Sequence, residues 1–209
     1  MSLESDVGRR IVGDPLALRA LAHPLRLKLL ALVGSEGPVT AADVGRQLGI
    51  SQALASHHLR QLAKYGFVEH ADAPDNRERP WRVTAVSHRF EAADGSSESW
   101  ESVELLNRHL VEQAASQLAD WQQRRADEDP GWAEHAGVSQ TLLYLTLDEF
   151  AELKRRWDEL IAPLARRRPR DDAADRSADA VPVNLTLVSA PLRYDHTPGG
   201  LTCDDSGDS

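Results

Sequence analysis

Two adjacent histidines, His57 and His58, lie in the middle of the segment SQALASHHLRQLAKYG, residues 51–66. Histidine side chains can bind a metal ion or transfer a proton. Neighbouring residues on a helix point about 100° apart, so this pair cannot hold one ion in common. A zinc pair on a helix needs a spacing of three or four residues. We therefore expect the two histidines to belong to two different surfaces.

A helical wheel divides this segment into two faces. The face at about 200° to 340° from Gln52 is apolar and contains Leu54, His58, Leu59, Leu62 and Tyr65. The face at about 0° to 140° is short, polar and basic, and it contains Gln52, Ala53, Ser56, His57, Arg60 and Lys64. In a major groove, Gln can pair with adenine, Arg with guanine, and Ser with a phosphate or a base edge. The second face predicts DNA contact, with an ordinary exposed histidine as the alternative for His57, whereas His58 is expected to pack on the core.

Two short helices would position this polar face. Thr40 is a good N-cap for the first, and Asp43 completes an approximate capping box. Gly49 permits a sharp turn, after which Ser51 caps the second helix. Two short helices joined by a turn of about three residues are typical of a helix-turn-helix.

Helices before this motif and strands after it complete a larger unit. Asp14 and His23 each precede a proline, so helices are predicted to begin at Pro15 and Pro24. After the motif, FVEHA and WRVTA are strand-like and are separated by DAPDNRERP, which carries Arg77 and Arg79. A hairpin with a basic tip directly after a helix-turn-helix predicts a winged helix.

The segments ALAHPLRLKLLALV, VTAADVGRQLGISQALASHHLRQLAKYGFVE and WRVTA together resemble the winged-helix regulators of the ArsR type, in the broad sense that includes many actinobacterial proteins. The resemblance covers roughly residues 14–90. It implies a homodimeric transcriptional regulator, more often a repressor, whose second motif helix reads the major groove while the wing touches the backbone or minor groove. Carried over to this sequence, it implicates Gln52, Ala53, Ser56, His57 and Arg60 in groove contacts, and Arg77 and Arg79 in the wing.

The sequence departs from the metal-sensing members of that group. TAADVGRQL contains no cysteine, and the long helix further on offers only His109 with Glu112, a spacing more often found in a surface pair. Cys203 is the single cysteine, and its acidic neighbours give no reason for a lowered thiol pKa. We expect no metal site and no cofactor.

A long helix is predicted from about Trp100 to Ala126, after a linker at 91–99. Residues at alternating steps of three and four form a seam suited to a second helix: Trp100, Val103, Asn107, Leu110, Ala114, Gln117 and Trp121. A core helix within one chain is the alternative. We expect a homodimer interface that includes Trp100, Val103, Leu110, Ala114 and Trp121.

The C-terminal part is predicted to be a strand, a helix and a strand. SQTLLYLTL and VPVNLTLVSAPLR are the strands, and the helix between them, DEFAELKRRWDELIAPLARR, has Asp148 as its expected cap. This extension would pack on the long helix or on a second subunit. Its aromatic residues could line a pocket for an organic effector or belong to an ordinary core: Trp132, Tyr144, Phe150 and Trp157.

The net charge of −9 is distributed unevenly. Residues 1–90 carry a net charge of +3, whereas residues 91–209 carry −12. A basic N-terminal part could approach a polyanion that would repel the acidic remainder. No run of about 18 apolar residues and no secretory signal are found, so we expect a cytoplasmic location and no membrane partner.

The sequence thus predicts a mainly α protein with a small β component. Its expected parts are an arm at 1–13, a winged helix-turn-helix domain at 14–90, a linker and long dimerisation helix at 91–127, a strand-helix-strand extension at 128–193, and a disordered tail at 194–209. The predicted function is a homodimeric repressor that binds double-stranded DNA at an imperfect palindrome. The alternatives are a protein-interaction module and a regulator with a small-molecule effector. An enzyme is not expected, because no glycine-rich phosphate loop, nucleophile elbow or HExxH motif occurs.

Overall fold

The computed structural model describes residues 9–72, 79–165 and 179–192. Within these ranges the chain is mainly α-helical with a small β component, as the sequence predicts. The elements in chain order are β1 (Arg9–Val12), α1 (Pro15–Leu21), α2 (Pro24–Glu36), α3 (Ala41–Leu48), α4 (Gln52–Lys64), β2 (Val68–His70), β3 (Trp81–Val83), β4 (Ser87–Phe90), α5 (Ser97–Arg124), a short 3-10 helix (Arg125–Asp127), α6 (Pro130–His135) and α7 (Leu147–Ala165). None of the helices in the described ranges has the length and apolar character that a membrane span requires.

The predicted caps set the start of the helix-turn-helix. The Thr40 hydroxyl accepts a hydrogen bond from the Asp43 backbone N–H at 3.2 Å, and the Asp43 carboxylate accepts one from the Thr40 N–H at 3.3 Å. Gly49, with φ of 66°, ends α3 in the left-handed region, which glycine adopts without steric cost. The Ser51 hydroxyl then accepts from the Leu54 N–H and begins α4. Both motif helices therefore form where the sequence predicts them.

One hydrophobic core joins the helices of the N-terminal half. Leu18 of α1, Leu29 of α2, Leu59 of α4 and Leu106 of α5 are fully buried in it. Phe67, which follows α4, is the largest fully buried side chain. The helix-turn-helix thus packs on this hydrophobic core, to which the first half of α5 also contributes.

The predicted wing is present as a two-stranded antiparallel sheet. β2 pairs with β3 in the register Val68 with Val83, and an isolated bridge joins Trp81 to Val39 ahead of α3. The Thr84 hydroxyl donates to the Gly66 carbonyl at 2.6 Å, which ties the base of the wing to the end of α4. The two wing strands, β2 and β3, are therefore held in a fixed position relative to α4.

A second small sheet was not predicted from the sequence. β1 pairs in parallel with β4, in the register Val12 with Phe90, so part of the expected arm at 1–13 is a strand. The Arg10 guanidinium donates to the backbone carbonyls of Tyr65 and Gly66 and lies 4.6 Å from the centroid of the Phe67 ring. This arrangement attaches the N-terminal strand to the C-terminal end of α4.

The C-terminal third differs from the prediction in two respects. Thr146, not Asp148, caps α7, because the Thr146 hydroxyl accepts from the Glu149 N–H at 3.2 Å and the Glu149 carboxylate accepts from the Thr146 N–H at 2.8 Å. The predicted strands in SQTLLYLTL and VPVNLTLVSAPLR are wrong for the described residues, because residues 139–146 and 181–192 form neither strand nor helix and Leu147 begins α7. A segment becomes a strand only when another edge pairs with it, and none of the described residues pairs with either segment. The predicted disordered tail, 194–209, lies outside the described residues.

Candidate nucleic-acid interface

Helix α4 has one buried side and one exposed side. On the buried side, Ala55, Leu59 and Leu62 are fully buried and His58 is 8% exposed. The six residues predicted to face DNA lie together on the other side: Gln52, Ala53, His57, Arg60 and Lys64 are exposed and Ser56 is half-buried. The two histidines therefore face different environments, as the wheel predicts.

The wheel was wrong at one position on this helix. Leu54, predicted to pack, is 40% exposed, whereas Ala55 is buried. Leu54 lies about 90° from the centre of the buried face, near the edge where the wheel assigns sides poorly. It therefore joins the exposed side beside His57 and presents an apolar group there, of the kind that contacts a thymine methyl.

The charges on the exposed side of α4 are all positive. The helix contains no acidic residue, and Arg60 donates to the Ser56 hydroxyl at 2.9 Å, one turn earlier. The Lys64 ammonium lies 5.3 Å from the centroid of the Tyr65 ring. Both cations are thus held along the helix surface, and no carboxylate of α4 neutralises them.

Basic residues of other elements flank α4. Arg46, which the sequence reasoning missed, is exposed on α3 and pairs with Asp43. Arg79 is exposed just before β3, whereas Arg77 lies outside the described residues. Arg82 in β3 pairs with Glu69 across the wing at 2.9 Å. Arg46 could have been considered from the sequence, because it lies on the predicted first helix of the motif.

His58 lies close to two other histidine rings, one on α4 and one at the start of α2. Its ring centroid lies 5.0 Å from that of His23 and 5.3 Å from that of His57. Burial, followed by the positive charges of His23 and Arg26, lowers the pKa of His58, and burial lowers that of His23. The His23 Nδ1 accepts from the Leu25 N–H at 3.1 Å and so caps α2. His58 therefore acts as a neutral packing residue near pH 7.

Metal coordination has no geometric basis in the part of the chain that the structure describes. No group of three or more His, Cys, Asp or Glu side chains there could hold an ion. The four aromatic residues considered for an effector pocket are not buried, and Tyr144 is 96% exposed. Tyr144 therefore does not line an enclosed pocket within this chain.

The residues predicted for a dimer interface divide into two groups along α5. Val103 is 6% exposed and packs in the core of its own chain, because the first half of α5 contacts α1 and α2. It is thus unavailable to a partner, which corrects that assignment. Trp100 is exposed, and Leu110, Ala114 and Trp121 are half-buried. Leu110 packs against the hydrophobic core of its own chain, whereas Trp100, Ala114 and Trp121 are not part of that core and keep accessible surface.

Comparison with known protein families supports the motif independently. A family model described as a helix-turn-helix domain matches residues 21–71, which span α2, α3, α4 and β2. The chain contains a helix-turn-helix domain. With the wing beside it, this domain supports a DNA-binding transcriptional regulator.

Two solved structures are similar to the chain. One is wild-type MarR from E. coli in its apo form, with 17% identity over 71% of this chain and 88% of that chain, at a TM-score of 0.29. The other is RV1404 from Mycobacterium tuberculosis, with 13% identity over 69% of this chain and 81% of that chain, also at 0.29. These TM-scores are too low to show a common fold. No curated protein matches the chain in sequence.

Proposed function

We propose that this protein is a homodimeric, sequence-specific repressor of the ArsR type that reads DNA through the exposed side of α4. The observation that supports it best is the division of α4. A buried side fixes the helix on the core, and the opposite side presents amide, hydroxyl, imidazole and guanidinium groups without a carboxylate. A major groove accepts such a helix and offers partners for each of these groups.

The exposed groups suggest specific base contacts. Gln52 would bond to an adenine and Arg60 to a guanine, each through two hydrogen bonds. Leu54 would pack against a thymine methyl beside them. Arg60 exchanges its bond to Ser56 for the base, which frees the Ser56 hydroxyl for a phosphate. A good bidentate contact contributes about 1–3 kcal/mol of discrimination against the wrong base.

The flanking basic residues would bind the backbone. Arg79 and Arg77 of the wing would contact phosphates or the minor groove, and Arg46 would contact a phosphate beside α3. In helix-turn-helix proteins the first helix of the motif crosses the DNA backbone while the second enters the groove. The net charge of +3 on residues 1–90 and −12 on the remainder favours approach by this side.

Two copies would pair along α5, at Trp100, Ala114, Trp121 and the part of Leu110 that its own core leaves exposed. A twofold dimer places two α4 helices in successive major grooves, so the operator would be an imperfect palindrome with half-sites about 10 base pairs apart. Footprinting on the native promoter tests this arrangement. Two protected half-sites at that spacing are expected; protection of one isolated half-site would refute the dimer, and uniform protection without preference would refute specific reading.

A protein-interaction module is the second candidate function. Its support is the overall charge of −9, which is unfavourable for a DNA binder. The two candidates differ in salt dependence, since counterion release makes DNA binding weaken steeply as salt rises. A chain that binds no duplex at low salt would favour the interaction module.

A further inference from the structure

Two extended segments of the C-terminal part leave their apolar side chains uncovered. We call residues 137–146 the first segment and residues 181–192 the second segment. Every residue in both is exposed, and neither contains a charged residue. Their large apolar side chains are 42 to 96% exposed: Val138, Leu142, Leu143, Tyr144, Leu145, Val181, Val183, Leu185, Leu187, Val188 and Leu192.

The backbone of both segments is also largely unpaired. Within the described ranges, one backbone hydrogen bond joins a segment to another part of the chain, from the Phe150 N–H to the Thr146 carbonyl at the start of α7, and none involves residues 137–145 or 181–192. Val181, Val183, Leu185 and Leu187 alternate with smaller or polar residues, so an extended chain places all four on one side. An uncharged apolar segment whose backbone is largely unpaired can serve as an open sheet edge, and folded proteins cover or pair such edges.

The uncovered surface continues onto two helices. Leu153, Leu160 and Leu164 of α7 are 45 to 65% exposed, and no residue of α7 is buried. The Asn184 side-chain amide donates to the Gln117 side-chain oxygen at 2.6 Å, which connects the second segment to α5. The open edge therefore lies beside the helix that carries the proposed dimer contacts.

The apolar area is what a stable dimer needs. A large apolar side chain, whose full burial contributes about 1.5–3 kcal/mol at about 25 cal/mol per Å², presents about 60–120 Å². The large apolar side chains named above are 42 to 96% exposed, so together they present on the order of 500–1,000 Å² per chain. A specific interface of standard size buries about 800 Å² on each partner. Monomeric proteins rarely leave contiguous apolar patches larger than a few hundred Å². The summed area is of the order that one partner contributes to an interface of standard size.

We infer that a second copy of this chain covers this surface, with the two segments of each copy pairing in an intermolecular β-sheet against α7. This inference rests on the homodimer of the proposed function. The absence of charge leaves nothing for a nucleic acid or a charged peptide to bind. Because residues 91–209 carry a net charge of −12, two copies repel each other elsewhere and can approach at these uncharged segments. A twofold axis also pairs the open edges of both copies at once.

The test compares two doubly charged variants of the full-length protein by sedimentation velocity at micromolar concentration. Val183→Glu with Leu187→Glu places two charges on the apolar side of the second segment. Thr186→Glu with Ala190→Glu adds the same charge to the same segment on the opposite side. We expect the wild type and the Thr186/Ala190 variant to be dimers, and the dimer Kd of the Val183/Leu187 variant to rise roughly 100-fold or more. All four sites are exposed, so unchanged far-UV circular dichroism is expected.

Amide hydrogen exchange adds a readout that is specific to strand pairing. Slow exchange within residues 139–145 and 182–188 of the wild type, with fast exchange in the Val183/Leu187 variant, would support the intermolecular sheet. A Val183/Leu187 variant that stays dimeric, or wild-type segments that exchange like unfolded peptides, would overturn it while leaving a dimer through α5 intact. A wild type that is monomeric would overturn both the dimer and this inference. DNA reading by α4 is decided separately, by the Arg60 variant described below.

Discussion

At the scale of single residues, the histidine doublet shows how one helix serves two environments. His58 is nearly buried and lies against His23, whereas His57 is exposed between Gln52 and Arg60 on the polar side of α4. The helical period was enough to separate them from sequence. The helical period did not predict the exposure of Leu54. This residue lies at the edge of the buried face, where contacts with neighbouring elements determine exposure.

Alanine substitutions should separate the two histidines. His58→Ala leaves a cavity in the core, so its free energy of unfolding should fall by about 1–3 kcal/mol. His57→Ala should change the free energy of unfolding by less than about 0.5 kcal/mol while weakening DNA binding. Urea denaturation and a DNA titration measure the two quantities. Equal effects of both substitutions on stability would show that the two side chains do not differ in burial as described.

His88 should make stability depend on pH. Its ring lies between those of Phe67 and Phe90, with centroids 5.7 and 6.0 Å away, and burial, followed by the charge of Arg10, lowers its pKa to about 4. The unfolded chain binds this proton near pH 6.5, so acidification favours unfolding between pH 6.5 and about 4. The contribution of His88 is thus fully present above pH 6.5 and is lost as the pH falls.

The measurement is urea unfolding of the wild type and of His88→Gln at pH 7 and pH 5. Between these values the wild type should lose about 2 kcal/mol more stability than the variant, whose side chain does not titrate. The same loss in both proteins would contradict a half-buried, neutral His88 with a lowered pKa.

At the scale of elements, local signals were predictable and distant pairings were not. The caps at Thr40 and Ser51 involve residues three positions apart, and the sequence identified both helices of the motif from them. The pairing of β1 with β4 joins residues more than 70 positions apart, and no local pattern indicates it. The second segment shows the same limit, since alternation predicts an extended chain but cannot supply a neighbouring edge.

The capping box of α3 should be measurable as stability. Thr40→Ala removes the hydroxyl that accepts from the Asp43 N–H, so the free energy of unfolding should fall by about 1 kcal/mol. Thr141→Ala, in the exposed first segment, is a matched control that should change it by less than about 0.5 kcal/mol when measured under conditions that keep the chain monomeric. Urea denaturation compares the two, and an unaffected Thr40→Ala protein would show that the box does not hold α3.

At the scale of the whole molecule, charge and apolar surface are separated along the chain. The winged helix-turn-helix domain carries the basic groups suited to DNA, and the C-terminal part carries the acidic charge and the uncovered apolar segments. The family match at 21–71 covers the first of these parts, so the domain could be identified from sequence. The role inferred for the second part is contact with a second copy that covers it, and the sequence of one chain does not reveal such a partner.

The central claim is that the exposed side of α4 reads DNA, and a titration of the native promoter fragment tests it most directly. Arg60→Ala is compared with Arg156→Ala, an equally drastic loss of charge at an exposed arginine of α7. Loss of one bidentate guanine contact should weaken binding by about 5- to 150-fold for Arg60→Ala, whereas Arg156→Ala should bind like the wild type. If the wild type and Arg60→Ala bind equally weakly to every duplex at low salt, α4 does not read DNA.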